Sequence, residues 1–172
     1  MRPLKLTMAG LRSYQRRQEI VFPKGLFAIT GQTGSGKSSI LEAMVFALYG
    51  ASTFDGGGGR ALLSDGCQEM NVSFEFEVQH QRYLVKRGLT AKTAFHELVG
   101  PDQQVLADKA AEVNRLLGDL MGLDREDFLK TVVLPQGAFQ SFLHSTPAKR
   151  SDLLKSLLQL GLLDDMATIV AE

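Results

Sequence analysis

Eight residues, Gly31-Gln-Thr-Gly-Ser-Gly-Lys37-Ser38, constrain this chain more than any others. They match the G-x-x-x-x-G-K-[ST] pattern of a phosphate-binding loop, which works only between a strand that enters it and a helix that leaves it. The glycines let the backbone curl so that successive N–H groups point inward at phosphate oxygens. Lys37 adds a point charge for the β- and γ-phosphates, and the Ser38 hydroxyl is a hard oxygen ligand of the kind Mg²⁺ takes. The following helix aims its positive N-terminal end at the same anion. The expected nucleotide cradle is thus Gln32, Thr33, Gly34, Ser35, Gly36, Lys37 and Ser38. At average glycine usage the bare pattern arises by chance on the order of 1% of the time or less in a chain this long.

The flanks fit the loop. Leu26-Phe-Ala-Ile-Thr30 is a short apolar run, expected to be a strand buried on both faces. A helix is expected over Lys37–Tyr49, with Ile40, Leu41, Met44, Val45 and Leu48 on one face and Gly50 as its C-terminal cap. Leu4–Met8 and Ile20–Phe22 read as strands before it. Residues 51–68 read as a loop, because the Gly56–Gly59 run holds regular structure only at a high entropic cost. Val72, Phe74, Phe76 and Val78 alternate with polar residues, the clearest amphipathic strand in the chain. Arg82–Arg87 and Ala94–Val99 are expected as antiparallel neighbours, with His80-Gln81 as a tight turn. Helices are expected at about 108–117 and 125–133, with Pro135 ending the second. Thr146-Pro147 starts a further leucine-striped helix. The fold class is α/β.

Composition narrows the setting. The chain of 172 residues has 44% hydrophobic and 22% charged residues, the balance of a globular domain. No apolar run reaches the length of a transmembrane helix, no secretory leader is evident and Cys67 is the lone cysteine, so a cytoplasmic protein without membrane contact is expected. Residues 1–90 hold 11 Lys/Arg against 7 Asp/Glu, and residues 91–172 hold 8 against 12, so a net +4 and a net −4 cancel. Any DNA contact must then come from a local patch; Arg16, Arg17, Arg60, Lys86 and Arg87 are the candidates. His80, His96 and His144 show no metal-ligand spacing.

Phosphoryl transfer in P-loop enzymes also needs an apolar strand ending in an acid. Leu62-Leu-Ser-Asp65 lies in the glycine-rich loop and Leu162-Leu-Asp-Asp165 in a helical stretch, so neither qualifies. The phosphate cradle is present without a general base.

Several blocks together carry a family resemblance. Leu11-Arg-Ser-Tyr14, Ile20-Val-Phe22, Gly25–Gly31, the P-loop and Leu41–Gly50 resemble the N-terminus of SMC-like ATPases, and Val132-Val-Leu-Pro-Gln-Gly-Ala-Phe-Gln-Ser-Phe142 is similar to the Q-loop region of the SbcC family. The resemblance implies the N-terminal lobe of an ABC/SMC-like head over residues 1–145, with a mixed sheet and an antiparallel β subdomain, and with 146–172 leading into a coiled coil. It implies that the C-terminal lobe supplies the signature, the acidic strand and the catalytic Glu. The chain is then expected to stop where the coiled coil begins, and to bind nucleotide without turning it over alone. ATP and Mg²⁺ are the implied cofactors. Lys37, Ser38 and Ser39 would hold phosphates and Mg²⁺, Gln136 would act as the catalytic γ-phosphate sensor and metal contact, and Arg12 and Ser13 would approach the nucleotide from the first hairpin. The implied partners are the chain's own C-terminal lobe, a second head, an SbcD-like nuclease and DNA. Gln32 departs from the Asn or Pro usual at its position.

Three other readings remain open. An ABC transporter ATPase fragment usually has its Q-loop much nearer the P-loop, whereas Gln136 follows Lys37 by 99 residues. A small P-loop kinase needs a lid and acceptor site where residues 71–99 read as strands. A non-catalytic nucleotide-binding fragment differs from the half-head only in lacking a partner lobe.

Overall fold

Alternation of apolar and polar residues over the first hundred positions builds one sheet in the computed structural model, which describes residues 1–52, 59–123, 125, 128, 129 and 146. Its strands are β1 (Arg2–Ala9), β2 (Gln18–Val21), β3 (Glu69–Val78), β4 (Gln81–Thr90), β5 (Ala94–Val99) and β6 (Val105–Ala107). They lie in the order β2-β1-β3-β4-β5-β6, and every pairing is antiparallel. Period-two geometry sends Leu6 and Met8 of β1, Met70, Val72, Phe74 and Phe76 of β3, Val85 of β4 and Leu98 of β5 to one buried face. Helix α1 (Lys37–Tyr49) and helix α2 (Ala110–Met121) complete this part of the chain. The chain divides into two compact units, Met1–Gly122 and Leu123–Glu172. In the second, Arg125, Phe128 and Leu129 are helical, as expected.

The opposite face of the sheet is a ladder of ion pairs. Arg2 meets Glu77 at 2.8 Å, Lys86 meets Glu97 at 2.6 Å, and Lys5 lies 3.2 Å from Glu19 and 3.9 Å from Glu75. Arg17 lies 3.8 Å from the same Glu19. Neighbouring strands set opposite charges side by side, the favourable cross-strand arrangement. Arg2 and its neighbours also hold the Glu77 carboxyl below its ordinary range, the Arg2 hydrogen bond being the largest cause.

Five expectations need correction. Leu26–Thr30 is not a strand: the segment is irregular and exposed, with Leu26 fully solvated. A buried strand requires partners on both edges for its N–H and C=O groups, and among the described residues none runs beside it. The sheet described here is accordingly antiparallel rather than mixed. The β3–β4 turn is Gln79-His80, one residue earlier than expected; both sit at positive φ (50° and 62°), and Val78 pairs with Gln81. That is the two-residue hairpin geometry whose backbone twist matches the strands. Helix α1 matches its expected bounds but not its expected face. Leu41 and Met44 are only half-buried, whereas Glu42, Ala43, Phe46 and Ala47 are buried, so the helix is enclosed on most sides. Gly59, placed in a loop by its glycine run, opens a 3-10 turn through Leu62. It lies flat against Phe46 and Leu89, where any side chain would collide.

Candidate phosphate-binding site

The loop closes on itself. Ser35 N–H donates to Gln32 O at 3.2 Å, and a Cβ at Gly31 would stand 2.8 Å from Ser35 Oγ. Gly34 (φ 82°) and Gly36 (φ 90°) take the left-handed backbone that glycine adopts without a Cβ penalty. Gly36 is also the N-cap of α1, and its carbonyl accepts from Ser39 N at 2.9 Å and Ile40 N at 3.3 Å. The amides ahead of Ser39 have no carbonyl available in the helix, so they are the donors an anion would meet.

Lys37 sits at this helix start, and its Nζ donates to Gly31 O at 2.8 Å and to Gln32 O at 2.7 Å, across the mouth of the loop. Both bonds are solvent-exposed. Gln32, Thr33, Gly34, Ser35 and Ser38 are exposed as well, whereas Ser39 is buried with its amide committed to Gly36. An open ring of glycine-rich backbone, an ammonium and a hydroxyl at a helix N-terminus fit a phosphate chain. Among the described residues no group of three His, Cys, Asp or Glu side chains gathers to hold a metal. A Mg²⁺ accompanying the phosphates would instead rest on Ser38, phosphate oxygens and water, the sparse protein ligation that this ion accepts.

The first hairpin meets the loop through Tyr14. Tyr14 covers Gly36 so closely that a Cβ there would be 3.0 to 3.1 Å from three atoms of its ring and hydroxyl. The hairpin is itself anchored: Arg12 N–H donates to Leu62 O at 2.8 Å, Ser64 N–H to Gly10 O at 2.8 Å, and Ser64 Oγ to Arg12 O. Arg12 holds a positive φ of 47° there, and its side chain and that of Ser13 are exposed on the loop that Tyr14 presses against Gly36. From sequence alone Tyr14 has no role of its own, and no local pattern marks its contact with Gly36. Gln136 lies outside the described residues.

The far end of α1 carries a residue that charge alone misassigns. Arg87, a DNA-contact candidate by sequence, is 1% exposed and is among the largest fully buried side chains of the described residues. Its Nε donates to Ala47 O at 2.6 Å and its Nη2 to Leu48 O at 3.1 Å and Asn114 Oδ1 at 2.7 Å; Nη1 lies 3.0 Å from His96 Nδ1. A guanidinium has no acceptor capacity, so His96 Nδ1 accepts and the imidazole is neutral. Burial lowers Arg87 to about 10, which leaves it a cation at neutral pH. Burial, then the Arg87 charge, lowers His96. Among the other DNA candidates, Lys86 and Arg17 are engaged in the ion-pair ladder and Arg60 donates to Ala91 O at 3.0 Å, while Arg16 is exposed.

The family model described as the AAA domain matches residues 5–166. The SbcC component of the SbcCD nuclease from Deinococcus radiodurans is 36% identical over all of this chain and 20% of its own length. The same component from Bacillus subtilis is 40% identical over 93% of this chain and 16% of its own. A probable DNA double-strand break repair Rad50 ATPase of Aquifex aeolicus is 35% identical over all of this chain and 18% of its own. The chain thus spans about a fifth or less of the curated relatives it matches. Among solved structures, one described under ATP-driven dimerization and DNA-stimulated activation of SMC ATPases superposes with a TM-score of 0.68 at 21% identity, covering 91% of this chain and 99% of the other. The recombination mediator RecF in its ATP form superposes at 0.53 and 16% identity, covering 90% and 37%. The fold is therefore the N-terminal portion of a P-loop ATPase head.

Proposed function

We propose a function from one premise: the chain belongs to the AAA-domain family whose model it matches over residues 5–166. It is the ATP-binding part of the head of an SbcC-like ATPase, coupled in the whole protein to a nuclease that processes DNA double-strand breaks. The observation that carries this reading is the loop itself. Lys37 is held over Gly31 and Gln32 by bonds that phosphate oxygens can replace, at the N-terminus of a helix whose first amides are unclaimed within it.

Each residue then has a task. Backbone amides of the loop and the first turn of α1 bind the β- and γ-phosphates, and Lys37 neutralises them. Ser38 would hold Mg²⁺, which supplies charge compensation at the phosphates when bound. Arg12 and Ser13 approach the nucleotide from the anchored hairpin beneath Tyr14. Gln136 senses the γ-phosphate. Residues 1–145 form this lobe and 146–172 lead toward a coiled coil. A C-terminal lobe of the same protein would bring the acidic strand and the base, and Leu26–Thr30, apolar and without a strand partner among the described residues, is where its strand would add to the fold. The relatives' names, with nuclease and double-strand break repair in them, support the pairing with an SbcD-like nuclease and DNA.

Fluorescent-ATP titration of the chain tests the binding claim. Binding that Lys37→Ala weakens about ten- to a hundredfold supports it; no binding by the unaltered chain sinks it. With a C-terminal lobe supplied, Gln136→Ala should keep nucleotide affinity but lose ATP-dependent dimerisation and nuclease stimulation. Loss of binding as complete as in Lys37→Ala would remove Gln136 from its assigned role.

A further inference from the structure

The last turn of α1 contains no basic residue. Its carbonyl end carries partial negative charge and orphan acceptors, and a cation from another element meets them: Arg87 of β4, through Ala47 O and Leu48 O. The same guanidinium reaches α2 at Asn114 and β5 at His96, so four elements share one buried group. Gly50 at the helix cap has φ 68°, and a Cβ there would stand 3.0 Å from Arg87 Nη1. The cap is thus shaped around the arginine.

We propose that Arg87 is a positioning residue for the phosphate loop, clamping the distal end of α1 to the sheet and to α2 through a junction that holds only while His96 is neutral. The inference rests on the nucleotide-binding reading of the loop. Gly36 is both the end of the loop and the cap of α1, so the loop's amides move with the helix. Phosphate recognition tolerates displacements of only about half an ångström. Release of the helix end frees α1 to shift along its axis, and the amides lose register with the phosphates. Protonation of His96 converts its Nδ1 from acceptor to donor and sets two cations 3.0 Å apart. Among the described residues, the groups bonded to Arg87 from α1 and α2 are the neutral carbonyls of Ala47 and Leu48 and the neutral Asn114 amide, Val72 of β3 stands opposite it, and β6 carries no titratable residue. The buried carboxylate of α1, Glu42, accepts from Ser52, and none of the groups bonded to the pair carries a negative charge to offset the second positive one.

The experiment is fluorescent-ATP titration of the full chain between pH 5.5 and 8, with circular dichroism at each point. Arg87→Met is expected to weaken affinity about tenfold at pH 7.5, about 1.4 kcal/mol of the larger loss of charged hydrogen bonds reaching the loop, with Arg87→Lys in between. The unaltered chain is expected to lose affinity only as pH falls below the ordinary histidine range, because burial and the Arg87 charge hold folded His96 below it. His96→Gln, whose amide oxygen still accepts from Arg87, is expected to match it at pH 7.5 and to lose that acid step. If Arg87→Met fails to fold, the His96→Gln profile decides. Wild-type affinity in a folded Arg87→Met, or an unchanged acid step in His96→Gln, overturns the clamp. A chain that binds no ATP at any pH overturns instead the reading of the loop.

Discussion

The two ends of helix α1 use the same device in opposite ways. At each end a cationic side chain donates to two backbone carbonyls: Lys37 to Gly31 and Gln32, Arg87 to Ala47 and Leu48. The lysine pair is exposed and joins residues five and six positions apart. The arginine pair is buried and spans 39 and 40 positions. In water a hydrogen bond exchanges for others at little net gain; away from water, leaving one unmade costs about 1–3 kcal/mol. Lys37 is therefore free to trade its carbonyls for phosphate, and Arg87 is not free to leave its own. One helix carries a reactive end and a fixed end, and burial makes the difference.

The largest expected effect comes from breaking the fixed end. Arg87→Met strands two buried carbonyls and the Asn114 amide oxygen, and should lower unfolding stability by about 2–4 kcal/mol in urea titrations. A loss under about 0.5 kcal/mol would mean the two ends are alike after all. Next is the reactive end. Lys37→Ala should reduce ATP affinity about ten- to a hundredfold, the value of a charged contact, while leaving the melting curve in place. A melting loss as large as that of Arg87→Met would erase the contrast.

Gly50→Ala probes the fixed end by crowding. It forces a Cβ into left-handed backbone and toward Arg87, so a loss of about 1–2 kcal/mol is expected. A neutral result would show that the arginine yields easily. The smallest effect is acid dependence. His96 has a folded-state value below its unfolded one, so between the two the unfolded chain binds the extra proton. Stability is then full above about pH 6.5 and declines as pH falls toward the lowered value. Melts at pH 7.5 and 5.5 should differ in the unaltered chain more than in His96→Gln; equal differences would detach His96 from the clamp.

Much of this was legible in the residues. The P-loop, the bounds of α1, its Gly50 cap and the three central strands β3, β4 and β5 follow from local patterns with local causes. Leu26–Thr30 misled because an apolar run states a wish for burial without naming a neighbour. The β3–β4 turn slipped by one residue because Gln79 and His80 adopt positive φ with no glycine to mark it. Strand β6 is three residues long, too short for alternation to register. Arg87 was the instructive miss. Its place two residues after Val85 put it on the core side of β4, but a charged residue is read as solvated unless a partner is known. The partner was a helix end forty residues away, outside the reach of any local pattern. The assignment of Arg12 and Ser13 to the nucleotide came only through the family resemblance; no local pattern in the residues points to it.

The ion-pair ladder on the open sheet face bears on how such a surface meets a polyanion. A lysine surrounded by water keeps no fixed anion, so its landing on DNA frees the sodium condensed along the duplex, and affinity falls steeply with added salt. Arg2, Lys5, Arg17 and Lys86 already have glutamates for counterions, tethered to the same sheet. A strand of nucleic acid settling there would have to displace carboxylates that cannot diffuse away. The entropy that ordinarily drives such association would be largely missing, and the sheet face would contribute only a shallow dependence on ionic strength.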